Sequence, residues 1–377
     1  MKKVGVVGAT GSIGTQAIDV IKKNKDKFEV VFISAHSSKD KLLNFKEDID
    51  AKYAILTGVD SSDNGDVLFG LDELLNIIKN EEIDIILSAA VGFSGLLPTY
   101  HALQRGIDIA LANKESMVTA GSILNNISKR NGAKIIPVDS EHSAIFQSIL
   151  GHKKEFLEKI ILTASGGPFR RRPIDSLEFV EIDEALKHPN WKMGKKITVD
   201  SATMMNKGLE LIEAKFLFDV STDKLDVIIH PESIIHSMVS FCDGSYIAQL
   251  GFPDMRVPIA YALSYPERLT LDTKRLSFYE LEKLTFLKPD FKRYPCLKLA
   301  FEVLNNDKAV YYIALNAANE VAVEGFLKKE IKFIDIPSVI ESVLEKIEQV
   351  DVKSINDIIE VDKTARMYAL DFIKKRF

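Results

Sequence analysis

Residues 3–20 read KVGVVGATGSIGTQAIDV. A short apolar run breaks at Gly8, and Gly11 and Gly14 follow at intervals of three. Ile13, Ala17, Ile18 and Ile21 then recur with helical spacing. A strand that enters a helix through GxxGxxG uses its glycines for a tight turn, for close approach of backbone to a phosphate, and for helix–strand packing. The open amides at the start of such a helix, at the positive end of its dipole, make an anion site. The bland alternative is a turn that only packs a helix on a sheet.

The same alternation continues outward. FEVVFIS (28–34), YAIL (53–56), IDIILSAA (83–90), DIALA (108–112) and AKIIPV (133–138) are short apolar runs separated by helix-like segments. Continuous rather than alternating runs mark strands buried on both faces, hence a parallel sheet. This predicts an α/β fold opening with a doubly wound, Rossmann-like nucleotide-binding domain over residues 1–138. Over 139–290 the pattern becomes mixed α+β. KIILTAS and DVIIH read as strands, and VSFCDGSYIAQLG as a hairpin turning at Asp243-Gly244. TMMNKGLELIEAKFLF reads as a helix, Pro253 to Tyr265 as another, and GGPFRRRP and HPNWKMGKK as loops. Residues 291–377 read as a C-terminal helical bundle.

Composition narrows the function classes. The chain has 377 residues, 46% hydrophobic and 27% charged, with a formal net charge of −5. That balance points away from nucleic acid and membrane surfaces as partners. Cys242 and Cys296 form no framework, which fits a reducing cytoplasm. No apolar run approaches a membrane span.

At the end of the second strand an NAD-binding protein usually carries an acid for the ribose. Here stand His36, Ser37, Ser38 and Lys39. Hydroxyls and a cation suit a 2′-phosphate, so NADP is favoured over NAD; the alternative is a solvated loop with Ser38 capping the next helix. Asn113, Lys114 and Glu115 follow the fifth strand, where strand ends point into the cofactor crevice, or else form a helix N-terminal turn.

The acidic residues ask for a cation. Asp139 and Glu141 flank Ser140 after an apolar run, and on extended backbone residues two apart point the same way. Hard oxygen donors suit Mg²⁺ or Mn²⁺. On spacing alone, a helix cap with a first-turn acid is equally good. His142, on such a strand, would point away from the pair. Asn206 and Glu210 share a helix face, with Lys207 beside Glu210 at three residues' spacing. The three offer a third carboxylate for a metal and an amide and a cation for an anionic substrate. Ser165, Gly166 and Gly167 after a strand read as a phosphate cradle. Ser201 can complete it. His188, Trp191 and Met193 sit in a loop that reads as a closing lid. His230 and His236 read as core or interface histidines. NAANE (316–320) reads as a polar helix contact within the bundle or against the active-site domain.

These stretches resemble the 1-deoxy-D-xylulose 5-phosphate reductoisomerase family. GATGSIG, LANKES, PVDSEHSAIFQ, ASGGPFR, HPNWKMGKKITVDSATMMNKGLE, HPESIIHSMV, YPCLKLA and ALNAANE occur in the family's order over essentially the whole chain. The resemblance implies NADPH bound by the loop of Gly8, Thr10, Gly11, Ser12 and Ile13, and by Asn113, Glu115 and Gly194. It implies a divalent metal (Mg²⁺, Mn²⁺ or Co²⁺) on Asp139, Glu141 and Glu210. Substrate would meet Lys114, Ser140, Glu141, Ser165, His188, Trp191, Met193, Ser201, Asn206, Lys207 and Glu210, with Lys114, Glu141 and His188 as the catalytic set. It implies a homodimer, with lid and dimer surface in the middle domain. The family often has a Gly-x-Asn-like run where this chain has His36-Ser37-Ser38, a departure that implies the adenosine end of the cofactor is held differently. Two rivals remain: a plain NADP-dependent sugar-phosphate dehydrogenase, and a non-catalytic NADPH-binding sensor. Neither uses the carboxylates.

Overall fold

The computed structural model describes residues 1–58, 65–191 and 193–376. The chain divides into two compact units. The first holds Met1–Ser116, Leu124–Ser143 and Asp254–Lys274; the second holds Met117–Ile123, Ala144–Pro253 and Arg275–Phe377.

In the first unit, β1 (Lys2–Val7), β2 (Phe28–Ala35), β3 (Tyr53–Leu56), β4 (Leu68–Phe69), β5 (Ile85–Ser88), β6 (Asp108–Leu111) and β7 (Ile135–Pro137) form one sheet, ordered β4-β3-β2-β1-β5-β6-β7. Every pairing is parallel. The two-residue β4 was not legible in the sequence; it is too short to carry a pattern. The crossover helices are α1 (Ser12–Lys22), α2 (Lys39–Asp48), α3 (Leu71–Asn80), α4 (Leu96–Gln104) and α5 (Lys114–Asn131), and α6 (Ser140–Ile149) follows β7. Strand order reverses between β1 and β5, the switch point where doubly wound sheets bind ligands. The strands are buried almost end to end. Gly5 on β1 accommodates the Phe32 ring of β2, which a Cβ would meet at 2.2 Å.

In the second unit, β8 (Leu157–Ala164), β9 (Leu225–Ile229), β10 (Ile235–Phe241) and β11 (Tyr246–Leu250) form a mixed sheet, ordered β11-β10-β8-β9. The β10–β11 hairpin turns at Gly244, φ +84°, as Asp243-Gly244 predicts. Between β8 and β9 lie α7 (Ile182–Ala185), α8 (Lys195–Thr203) and α9 (Met205–Phe218). Lys195 and Lys196, read from sequence as loop, begin α8. Their run into Ile197, Thr198 and Val199 is β-branched and conceals the helix.

The chain then makes an excursion. α10 (Arg256–Ser264) belongs to the first unit and packs against α1, β6 and β7. Right-handed crossovers put α1 on one face of the sheet and α4 on the other. The face beside α1 under β6 and β7 therefore has no crossover helix, and α10 covers it. Arg256 anchors the excursion through Asp254 (2.6 Å) and Asp272 (3.0 Å). The expected middle domain, 139–290, includes this segment, because nothing local in the sequence marks a helix that returns to an earlier sheet.

Helices α11 (Pro295–Asn306), α12 (Ala309–Leu327), α13 (Ile336–Lys346) and α14 (Ile355–Arg376) complete the second unit. α12 packs against α8, α9, α11, α13 and α14. The expected boundary at 290/291 thus lies inside one unit: α12 of the bundle packs on α8 and α9.

An added Cβ at Gly14 would lie 2.2 Å from the Gly8 carbonyl oxygen and 2.6 Å from the Ala9 backbone. Backbone cannot swing aside, so Gly14→Ala should destabilise by about 1–3 kcal/mol. Urea unfolding measures it; an unchanged midpoint contradicts the packing argument.

Candidate active site

In the first unit, the Gly8 and Ala9 amides both donate to the Ser34 carbonyl, at 3.0 and 2.7 Å. Gly8 has φ +85°, and a Cβ there would meet the Ala89 carbonyl oxygen at 2.5 Å. The loop lies directly across the switch point, with glycine required by contact and by conformation. Gly11 caps α1 without a side chain, leaving the first-turn amides open to an anion. This fits a dinucleotide pyrophosphate. Thr10, Gly11 and Ile13 are half-buried and Ser12 is exposed. Lys41, passed over in the sequence, donates to the Thr10 carbonyl (2.8 Å) and to Thr15 Oγ1 (3.0 Å). His36, Ser37 and Ser38 are exposed; Ser38 takes the N-cap position of α2 but makes no side-chain cap bond.

Asn113 caps α5. Its Oδ1 accepts from the Ser116 amide at 3.1 Å, and its Nδ2 donates to the carbonyls of Ala90 and Gly92, both at 2.8 Å. The side chain is thereby committed to shaping the loop after β5. Glu115 accepts from the same amide at 3.1 Å. Asn113 is thus the helix N-terminal turn that the sequence offered as the alternative to a cofactor contact.

Asp139 precedes α6, and its carbonyl accepts from the Ser143 amide at 2.8 Å. Ser140 and Glu141 are the first helical residues, so the extended backbone inferred from the sequence is corrected. The carboxylates still converge: an oxygen of Asp139 and one of Glu141 lie within 4.8 Å of each other. The turn of a helix start does what strand alternation was expected to do. It also brings His142 round, a ring nitrogen lying within 4.8 Å of an Asp139 oxygen with the imidazole fully buried. The expectation that His142 points away fails because it assumed a strand. Lys114 Nζ pairs with Asp139 Oδ2 at 2.7 Å, and Ser140 Oγ donates to Glu141 Oε2 at 2.5 Å. Two hard carboxylates beside a lysine fit a divalent cation with an anionic ligand.

In the second unit, α9 presents Asn206, Lys207 and Glu210 as their spacing predicts. Asn206 Nδ2 donates to Glu210 Oε1 and Lys207 Nζ meets Glu210 Oε2, both at 2.5 Å. Ser165 follows β8. Its Oγ lies 3.0 Å from His188 Nε2 and accepts from the Gly167 amide at 3.2 Å. Ser201 is half-buried on α8.

His188 is fixed by the partners of both ring nitrogens. Its Nδ1 accepts from the backbone amides of Asn190 (3.2 Å) and Trp191 (3.0 Å). An amide can only donate, so Nδ1 carries no proton and Nε2–H donates to Ser165 Oγ. Ser165 Oγ then accepts twice, leaving its own hydrogen for a ligand oxygen. Burial, followed by the charge of Lys207, lowers the His188 pKa to about 4. Asn190, which carries no signal in the sequence, ties its loop to the Pro231 carbonyl (2.9 Å) and Ser233 Oγ (2.8 Å). Trp191 and Met193 are half-buried, and the Trp191 ring lies 6.2 Å from that of His236. Gly194 is the N-cap of α8.

His230 is a core histidine: Nε2 accepts from the Ile234 and Ile235 amides at 3.1 and 3.2 Å. His236 is also buried, and burial lowers its pKa to about 4. In NAANE, Asn319 Nδ2 donates to Asp200 Oδ1 on α8 at 2.9 Å, and Glu320 pairs with Arg366 at 2.6 Å. Both contacts match the polar helix role expected.

A doubly wound nucleotide-binding unit, hard carboxylates and a hydroxyl–amide–lysine set for an anion define a class: nicotinamide-dependent, cation-assisted enzymes of small anionic substrates. Three family models match in succession: 1-deoxy-D-xylulose 5-phosphate reductoisomerase over residues 4–121, its C-terminal domain over 135–218, and the DXP reductoisomerase C-terminal domain over 250–368. The Clostridium kluyveri 1-deoxy-D-xylulose 5-phosphate reductoisomerase is 47% identical over 386 residues, covering 100% of both chains. That of Chlorobium phaeovibrioides is 45% identical, covering 99% of this chain and 100% of its own. The solved Zymomonas mobilis enzyme in complex with NADPH superposes with a TM-score of 0.91 at 38% identity, over 99% of each chain. A solved reductoisomerase in complex with NADPH, fosmidomycin and magnesium superposes with a TM-score of 0.93, also at 38% identity, over 99% of this chain and 98% of that one. The chain belongs to the 1-deoxy-D-xylulose 5-phosphate reductoisomerase family.

The tautomer and burial of His188 set its titration. Its NMR signal, assigned by loss in His188→Gln, should move with a midpoint near pH 4. With the folded pKa depressed, the stabilising effect of the neutral ring is complete above about pH 6.5 and is lost as pH falls toward 4. A midpoint near 6.5 would contradict the buried acceptor geometry.

Proposed function

We propose that this chain isomerises and reduces 1-deoxy-D-xylulose 5-phosphate to 2-C-methyl-D-erythritol 4-phosphate, using NADPH and a divalent cation. The carrying observation is similarity over the full length to reductoisomerases, among them solved enzymes bound to NADPH and to magnesium. Lewis acidity at the substrate carbonyl and a hydride for the aldehyde intermediate are what the cation and NADPH supply when bound.

The chain's own residues bind, orient and shield. The first unit is the NADPH-binding domain; the second carries substrate recognition and the lid. NADPH lies on Gly8, Thr10, Gly11, Ser12 and Ile13 with Asn113, Glu115 and Gly194, and its 2′-phosphate on His36, Ser37 and Ser38. Asp139, Glu141 and Glu210 are the cation ligands, their hard oxygens suited to Mg²⁺, with Mn²⁺ or Co²⁺ as alternatives. Lys114 and Ser140 meet the substrate beside the cation. Ser165, Ser201, Asn206 and Lys207 hold its phosphate and hydroxyls, with the Ser165 hydrogen aimed by His188. Phosphate binding remote from the reacting carbons orients the substrate for rearrangement. Trp191 and Met193 close over it and exclude water. The working form is a homodimer, as the resemblance implies. Its compartment is the cytoplasm, in keeping with two free cysteines, Cys242 and Cys296. No helix among the described residues is long and apolar enough to cross a membrane.

Protein, NADPH, Mg²⁺ and 1-deoxy-D-xylulose 5-phosphate together should consume NADPH; EDTA should stop it, and added Mg²⁺ or Mn²⁺ restore it. EDTA-resistant consumption indicates a plain dehydrogenase, and cofactor binding without consumption a sensor. Glu210→Gln should lower kcat/KM by at least about 10²-fold. Wild-type turnover in that variant at low Mg²⁺ removes Glu210 from the cation site.

A further inference from the structure

The stretch YPCLKLA (294–300) has no role in the site as described, yet its first residue touches the phosphate loop. After β8 the backbone passes through two successive left-handed glycines, Gly166 at φ +79° and Gly167 at φ +67°. A loop of this kind makes no regular ladder and must be held from outside. On one flank it is pressed on α8: a Cβ on Gly167 would lie 2.7 Å from the Ser201 carbonyl oxygen. On the other flank, Tyr294 Oη donates to the Gly166 carbonyl at 2.9 Å. Arg293 Nη1 donates to the carbonyls of Phe169 (2.9 Å) and Arg172 (2.5 Å). Within the loop, Arg170 Nη1 donates to the Ser165 carbonyl at 2.6 Å. Tyr294 is 2% exposed, and burial pushes its phenol up to about 12, so the donor persists throughout the neutral range.

Tyr294 is also the N-cap residue of α11, which packs along α9. The approach is close at Gly208, where a Cβ would lie 2.4 Å from Ala300 Cβ. Gly208 follows Lys207 directly. One helix therefore touches the Ser165 loop through its first residue and packs through its body on α9, the helix that carries Asn206, Lys207 and Glu210.

We propose that Arg293 and Tyr294 are positioning residues for the anionic end of the substrate, clamping the Ser165–Gly167 loop so that Ser165 and Ser201 address the same phosphate as Lys207. This rests on the reductoisomerase reading for the identity of the substrate but not for the clamp.

The test is Tyr294→Phe, which removes one oxygen. In the NADPH- and Mg²⁺-loaded enzyme, KM for 1-deoxy-D-xylulose 5-phosphate should rise about 3- to 10-fold, the loss of one buried hydrogen bond. kcat and NADPH affinity should stay at wild-type values. In the protein without substrate, amide hydrogen exchange over residues 165–169 should quicken. A lowered Tm with unchanged KM and unchanged exchange overturns the proposal and leaves Tyr294 a packing residue. If wild-type protein consumes no NADPH with this substrate, the functional reading fails, and the exchange comparison still decides the clamp. Should Tyr294→Phe not fold, Arg293→Lys is read the same way: a single-point donor replaces the fork, and no shift in KM or exchange overturns the clamp.

Discussion

A carboxylate about 1% exposed has to be paired, and Glu210 organises the second unit around that requirement. Its two oxygens receive Asn206 and Lys207, so the pairing decides which way an amide and an ammonium point. Lys207 and Glu210 are buried with this pairing made, and α11 and α12 pack on α9, α11 coming close at Gly208. Burial is carried further by a second polar pair, Asn319 of α12 on Asp200 of α8. The helical bundle is therefore not an appendage. It supplies the enclosure in which buried charges keep a fixed orientation.

The parts of this arrangement that were legible in the sequence are those carried by local periodicity. Apolar runs located six of the seven strands of the parallel sheet, and i, i+1, i+4 spacing put Asn206, Lys207 and Glu210 on one helix face. What spacing could not supply was the conformation at element ends. Asp139 and Glu141 were framed as either a helix cap or a ligand pair. They are cap and first-turn acid with converging oxygens, because a helix start gathers side chains that a strand would alternate. His142 was misplaced by the same assumption. The contacts of Lys41, Asn190, Arg293 and Tyr294 were not legible for a different reason: each acts on backbone carbonyls or hydroxyls brought near by the fold, and no residue type announces such a partner.

His188 illustrates how far a role depends on the partners of its atoms. The sequence offered a histidine in a lid loop, as apt for acid–base chemistry as for binding. Two backbone amides directed at Nδ1 fix the tautomer, and Ser165 receives the remaining proton. The imidazole connects the backbone at Asn190 and Trp191 to the Ser165 side chain. Its preference for the neutral form follows from that enclosure and from the nearby Lys207 charge.

The excursion of residues 254–274 has a consequence for how such a molecule can be taken apart. The chain passes between the two units at 116/117, 123/124, 143/144, 253/254 and 274/275. A fragment ending before 254 lacks α10, and with it the cover for the face under β6 and β7. No single cut yields a whole nucleotide-binding unit, and no single splice could donate one to another protein. The two units are interleaved in the polypeptide, so replacing either one means rejoining the chain at several places at once.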